Sequence, residues 1–158
     1  MAAAGASGRV VVVDASVIVA ALVPGPARGW ARGLLLRLAD EAAMLAPGGL
    51  VDAEVLNGLR RALLRGAVRD LSRALEAYLA LPLHRVEPWP GLIRLAAEAS
   101  RSLSLSGQDA LYLALAASLN AGLATLDTGL ARAAEKLLGP GRVEKPPTRQ
   151  GLGRRGGA

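Results

Sequence analysis

Four acidic residues stand where a carboxylate is costly to keep. Asp14 closes the β-branched run Val10-Val11-Val12-Val13, and Asp127 follows Leu123-Ala124-Thr125-Leu126. Glu54 lies near the edge of an apolar stripe between Val51 and Val55, and Asp109 opens a stretch, residues 110–117, with no charge at all. An unpaired carboxylate in apolar surroundings is destabilising, so each of these predicts a nearby cation or several hydrogen-bond donors. Asp40, Glu41, Asp70, Glu76, Glu98 and Glu135 have charged neighbours or fall on polar faces and read as surface acids. Taken singly, the four have plainer readings. Asp14 and Asp127 could cap the helices that follow them. Asp109 stands three residues after Ser106, the spacing of a capping box with Asp in place of Glu, and Glu54 could be an exposed helical residue. Taken together they imply more. Converging carboxylates repel one another without a counter-ion, and a hard divalent cation such as Mg²⁺ or Mn²⁺, which prefers carboxylate oxygen and water, resolves that repulsion. The chain has a single histidine, His84, no cysteine and no phosphate-cradling glycine loop. Disulfides, thiol nucleophiles and thiolate zinc sites are therefore excluded, and carboxylate–metal chemistry is the main catalytic option left.

The elements that must position these acids alternate between short strands and helices. Residues 9–13 predict a buried strand, and residues 16–23 a short helix stopped by Pro24-Gly25-Pro26. Residues 27–43 predict an amphipathic helix with Leu34, Leu35 and Leu38 on its apolar face, followed by a strand at 44–46. Helices are expected over 50–64 (stripe Val51, Val55, Leu59) and 69–81 (Leu71, Leu75, Tyr78, Leu79), then a strand at 83–86 and a helix from Pro90 to about Leu103. Ser106 is placed to cap a helix over 107–119 that ends at Asn120 and Gly122. A strand at 123–126, a helix over 128–138 and an edge strand at 142–144 complete the pattern. The alternation predicts an α/β fold with a central parallel sheet of four to five strands between helical layers. In such sheets functional groups collect beyond the carboxyl ends of strands, where Asp14 and Asp127 are expected.

At 158 residues, 52% of them hydrophobic and 20% charged, the chain suits one compact domain. We expect that domain over 9–145, a flexible N-terminus over 1–8, and a loose basic tail rich in Gly, Pro and Arg over 146–158. Phe is absent and aromatics are only 3%, so Leu, Ala and Val must build the core. No apolar stretch reaches the roughly 18 residues a membrane span requires, and residues 1–8 lack the features of a secretory signal, which points to a soluble, cytoplasmic protein. The net charge is +6, and only Lys136 and Lys145 are lysines. An arginine surplus suits phosphate oxygens, although a solvated basic surface gives the same composition.

The pattern resembles the PIN domain, and within it the VapC-type toxins of prokaryotic toxin–antitoxin pairs. The segments that carry the resemblance are Val11-Val12-Val13-Asp14-Ala15-Ser16, then Leu45-Ala46-Pro47 through Glu54-Val55-Leu56-Asn57-Gly58-Leu59. Asp109-Ala110-Leu111-Tyr112-Leu113-Ala114-Leu115-Ala116 follows, and last Leu123-Ala124-Thr125-Leu126-Asp127 with Leu130. The resemblance spans residues 10–144; the long tail and the lack of Phe depart from it without touching the acids. It implies that Asp14, Glu54, Asp109 and Asp127 form the family's acidic cluster, that Asp14 and Asp109 touch the metal directly, and that Ser16 and Thr125 orient it from behind. Asp127 would act as a ligand directly or through water, and Glu54 as a ligand or as the group orienting an attacking water. One or two ions fit equally. It further implies a ribonuclease cutting an RNA substrate, a VapB-type antitoxin partner and a homodimer.

Arg60, Arg61, Arg65, Arg69 and Arg73 are candidates to hold an RNA backbone, or else form a solvated helix face. His84 reads as a strand-edge residue, Trp30 and Trp89 as packing or interface residues, and Tyr112 as core. Three alternatives stand beside the toxin reading: a PIN-like module that grips RNA or protein without cutting, a PIN nuclease of ribosomal RNA processing or DNA repair, and an unrelated α/β protein whose acids are all caps.

Overall fold

The computed structural model describes residues 8–147. Five parallel strands, β1 (Val10–Val13), β2 (Ala43–Pro47), β3 (Leu83–Val86), β4 (Gly122–Ala124) and β5 (Val143–Glu144), form one sheet in the order β3-β2-β1-β4-β5. Seven helices flank it: α1 (Ala15–Leu22), α2 (Arg28–Glu41), α3 (Leu50–Leu64), α4 (Ser72–Leu79), α5 (Pro90–Leu103), α6 (Gly107–Ser118) and α7 (Thr128–Leu138), with a 3₁₀ turn at Pro140–Arg142. The expected α/β architecture, a five-strand parallel sheet between helices, is what forms.

The topology follows from the residues. β1 is four valines, and Val11, Val12 and Val13 are fully buried at the centre of the sheet. β-branched side chains with both faces covered are what a parallel central strand requires. From β1 the chain builds outward through β2 and β3 on one side, then returns to place β4 and β5 on the other. The order reverses between β1 and β4, and a crevice opens beyond their carboxyl ends, the usual place for a ligand in open α/β sheets.

The helices bury the stripes their spacing predicts. α2 buries Ala31, Leu34, Leu35 and Leu38, and α3 buries Val51, Val55, Leu59 and Ala62. α6 is enclosed nearly all round, with Ala110 and residues 112–116 buried. That explains its chargeless sequence, since a helix covered on every side has no polar face. It packs on β1, β2 and β4 with α5 and α7 against it, and so delivers its first turn to the crevice.

Several bounds shift by a residue or two, α2 ending at Glu41 so that Ala43 opens β2, and two elements differ in ways that bear on the site or its surface. α4 begins at Ser72, not 69, because the Asp70 carboxylate accepts the Ser72 amide (2.8 Å) and turns the chain before the helix starts. It buries only Ala74 and Tyr78, while Leu75 and Leu79 are exposed, Leu79 by 60%. β4 ends at Ala124, not 126. The Thr125 amide still donates to Glu144 O (3.0 Å), but the Leu126 amide turns to the Ser16 hydroxyl (3.1 Å), which starts the bend leading to Asp127. Of the expected N-terminus and tail, residues 1–7 and 148–158 lie outside the described residues. No helix among the described residues is long and apolar enough to cross a membrane.

Candidate active site

Asp14 stands at the carboxyl end of β1 and is only 4% exposed. Its amide donates to Ala124 O (2.9 Å), extending the β1–β4 pairing by one residue. Although it occupies the N-cap position of α1, its side chain makes no capping bond. Instead its Oδ2 accepts two hydroxyls, Ser16 Oγ and Thr125 Oγ1, each at 2.7 Å. Each hydroxyl in turn accepts a backbone amide, Ser16 from Leu126 (3.1 Å) and Thr125 from Asp127 (3.0 Å). The amides occupy hydroxyl lone pairs, so both hydroxyl protons point at the carboxylate. The network ties the β1–α1 turn to the β4–α7 turn and leaves Oδ1 outside it.

Asp127 is the N-cap of α7, its Oδ1 accepting the Leu130 amide at 2.7 Å. It is exposed, contrary to the expectation from its apolar neighbours, because the chain bends outward after Thr125. Capping and a place at the crevice coincide in this residue. Asp109, half-buried, sits in the first turn of α6, where the Ser106 hydroxyl accepts its amide at 3.2 Å. Glu54 projects from α3, also half-buried, and its Oε1 is enclosed without a hydrogen-bond partner.

All four acids line one cavity of about 430 Å³. Burial pushes the Asp14 carboxyl up, the Ser16 and Thr125 hydroxyls pull it back, and the charge of Asp127 adds to the rise. Burial likewise raises Asp109, reinforced by Asp127 and Asp14 while the Ser106 hydroxyl lowers it. Glu54 is raised by burial, with Tyr112 opposing and Asp14 and Asp109 adding to it. The acids are thus close enough to resist one another's ionisation. Among the described residues, however, no three acidic, histidine or cysteine side chains are placed to hold a common metal ion. The carboxylates share a cavity while standing apart, as like charges without a counter-ion do.

A family model described as PIN domain matches residues 11–136. The chain belongs to the PIN domain family. Among solved structures it is similar to PAE2754 from Pyrobaculum aerophilum, with TM-score 0.60 and 23% identity over 83% of this chain and 95% of that one. It is also similar to VapBC2 from Rickettsia felis bound to a DNA fragment from their promoter, with TM-score 0.63 and 18% identity over 86% of this chain and 98% of the other. At these identities the likeness is one of fold. No curated protein sequence matches.

The remaining walls of this PIN domain's cavity include Ser16, Asn57, Arg61 and Gln108. Of the five arginines singled out from the sequence, only Arg61 lines it. Asn57 and Gln108 were not anticipated, though Asn57 lies one helical turn beyond Glu54 and Gln108 immediately precedes Asp109. Tyr112 is core, as expected, and fully buried. Burial, and then the charges of Glu54 and Asp14, push its hydroxyl's ionisation far upward; the hydroxyl faces Glu54 without completing a hydrogen bond of full geometry. Its place three residues after Asp109 on α6 was the available signal. His84 is exposed on β3, Trp89 is 39% exposed before α5, and Trp30 packs against the core; none lines the cavity.

Proposed function

We propose that this PIN domain is a divalent-metal-dependent endoribonuclease and the toxin of a VapBC-type pair, acting in the cytoplasm. PIN domains are generally nucleases. The observation that carries the reading further is the gathering of Asp14, Glu54, Asp109 and Asp127, from β1, α3, α6 and the β4–α7 turn, on one cavity beside the strand-order reversal.

The residues present fit a hard cation. All the candidate ligands are carboxylates, three have ionisation raised by burial and by neighbouring carboxylates, and Glu54 Oε1 is enclosed without a hydrogen bond of full geometry. Mg²⁺ or Mn²⁺, when bound, would offset the carboxylate charge, activate water and neutralise charge on the scissile phosphate. Asp14 and Asp109 would hold the ion directly, Asp127 directly or through water. Glu54 would hold it or orient the attacking water. Ser16 and Thr125 lock Asp14 through Oδ2, so the ion would meet a carboxylate of fixed direction. Arg61, the cation lining the cavity, is suited to a phosphate oxygen of the RNA.

Asp14→Asn and Asp109→Asn should each abolish cleavage of RNA by a folded protein, and excess EDTA should do the same. Undiminished cleavage in either arm rejects the assignment.

For the partner, the reading rests on the toxin resemblance and the fold likeness to VapBC2. A largely apolar groove of about 400 Å³ between α1, α2 and α4, lined by Ala21, Leu22, Leu35, Leu36, Ala77 and Leu81, suits an amphipathic antitoxin helix. Leu36 is 71% exposed there. A homodimer should elute with twice the 16.1 kDa chain mass, and a monomer at micromolar concentration would remove that part of the reading.

A further inference from the structure

A further cavity, of about 290 Å³, has chemistry opposite to that of the acidic one. It lies between the end of α5 and one face of α7, and Ser102, Ser104, Gly129, Arg132 and Lys136 are among its lining residues. Arg132 and Lys136 stand one turn apart on α7 and are exposed, and neither joins an ion pair among the described residues. Like charges at this spacing repel. Lys136, in the last turn, complements the helix dipole, but Arg132 is mid-helix and has no such role. The Ser102 hydroxyl is committed to Glu98 O (2.9 Å), whereas no hydrogen bond among the described residues engages the side chain of Ser104.

This cavity shares no lining residue with the acidic one but comes within two residues of it at the start of α7. Gly129 lines it and also lies against Asp127, so closely that an added Cβ would stand 3.2 Å from Asp127 Oδ1. Ser104 is two residues from Ser106, whose hydroxyl caps the turn bearing Asp109. At 1.5 Å per residue, Arg132 is about 7.5 Å beyond Asp127 along α7. A polyanion approaching four carboxylates is repelled unless cations hold it on either side of the reacting bond.

We propose that Arg132, Lys136 and the Ser104 hydroxyl bind a backbone phosphate of the RNA strand whose neighbouring phosphodiester enters the acidic cavity. The proposal rests on the ribonuclease reading. The arginine offers paired donors to phosphate oxygens and the lysine a point charge; neither reads a base, so the contact fixes the strand's register without specifying sequence.

The test compares wild type with Arg132→Gln/Lys136→Gln, and with Arg94→Gln, an exposed charge about 12 Å from Ser102 along α5, as control. A fluorescein-labelled single-stranded RNA of mixed sequence is titrated by anisotropy in EDTA, so that nothing is cut, between about 50 and 200 mM salt. Losing one phosphate contact should reduce the slope of log Kd against log salt by about 0.7 and weaken binding at low salt. Arg94→Gln should leave both unchanged. A double variant with wild-type slope and affinity overturns the proposal. So does a cavity that responds to inorganic phosphate in amide NMR spectra, at Gly129 and Ser104, while RNA binding is indifferent to the double substitution, because the ligand is then free phosphate. Cleavage with Mn²⁺ is measured in parallel. If wild type cuts no RNA yet the double variant loses the slope, the phosphate site stands and the nuclease reading falls.

Discussion

Thr125→Val removes one hydroxyl from the network behind Asp14 with little change of shape. Thr125 is fully buried; its Oγ1 donates to Asp14 Oδ2 at 2.7 Å and accepts the Asp127 amide at 3.0 Å. A hydrogen bond to a charged group contributes about 1.5–3 kcal/mol, and an amide left without its acceptor costs about 1 kcal/mol if water does not reach it. Asp127 is exposed, so water relieves part of the second effect. The variant should therefore be about 2–3 kcal/mol less stable than wild type in urea unfolding at neutral pH in EDTA. The deficit should also depend on pH. The hydroxyl favours the ionised Asp14 carboxyl, so its loss raises that ionisation further, and the gap between the two proteins should narrow as acid protonates Asp14 in both. Thr125→Ser, which keeps the hydroxyl, should retain the pH dependence and lose only the methyl packing. A Thr125→Val deficit below about 0.5 kcal/mol, or one equal at all pH values, would refute the claim that this hydroxyl holds an ionised carboxylate.

Metal-free stability should rise on mild acidification. Asp14, Glu54 and Asp109 ionise higher in the folded chain than the unfolded reference of about 3.9–4.3, so their contribution is complete below that range and is lost as pH rises through the folded values. Stronger acid should reverse the trend. Asp52 is lowered by its Arg85 hydrogen bond, and Glu144, pushed up by burial, is pulled down further by Arg37 and Arg9; both lose their contribution as pH falls. Melting temperatures from pH 8 to 3 in EDTA check this, and a monotonic fall with acid would contradict it. Gly58→Ala should destabilise despite alanine's better helix propensity, because the new Cβ would stand 2.5 Å from Val19 Cγ2, on a stiff β-branched side chain bordering the acidic cavity. A net loss of about 1–3 kcal/mol is expected, and a stabilised variant would show that α1 and α3 separate freely.

Much of the fold was legible because punctuation and periodicity agreed. The bounds of α3, α5, α7 and β3 match their sequence expectations: Gly49 at positive φ precedes α3, Pro90 opens α5 at a position where its missing amide is harmless, and Asp127 caps α7. The acids stood out because a charge in an apolar run is a physical anomaly, and four such anomalies, at strand ends and on inward helix faces, pointed to one site. What escaped detection depended on bends and reach. Asp70 delays α4 through a local side-chain bond that propensity does not register. The outward bend after Thr125 exposes Asp127, although its sequence neighbours are apolar. Arg61 borders the cavity while its neighbour Arg60 does not, a distinction of about 100° around an axis whose orientation only packing sets; Arg65 shares the Arg61 face but lies a turn further along, at the end of α3. Tyr112 reads as core in any window; that its hydroxyl ends beside Glu54 depends on α6 and α3 meeting across the sheet end.

The central claim is that Asp14, Glu54, Asp109 and Asp127 share a cation. Anomalous diffraction from a crystal soaked in Mn²⁺ tests it directly. The account predicts one or two manganese peaks inside the acidic cavity, with Asp14 and Asp109 turned inward to ligate. An ordered, accessible cavity without manganese at saturating concentration would contradict it.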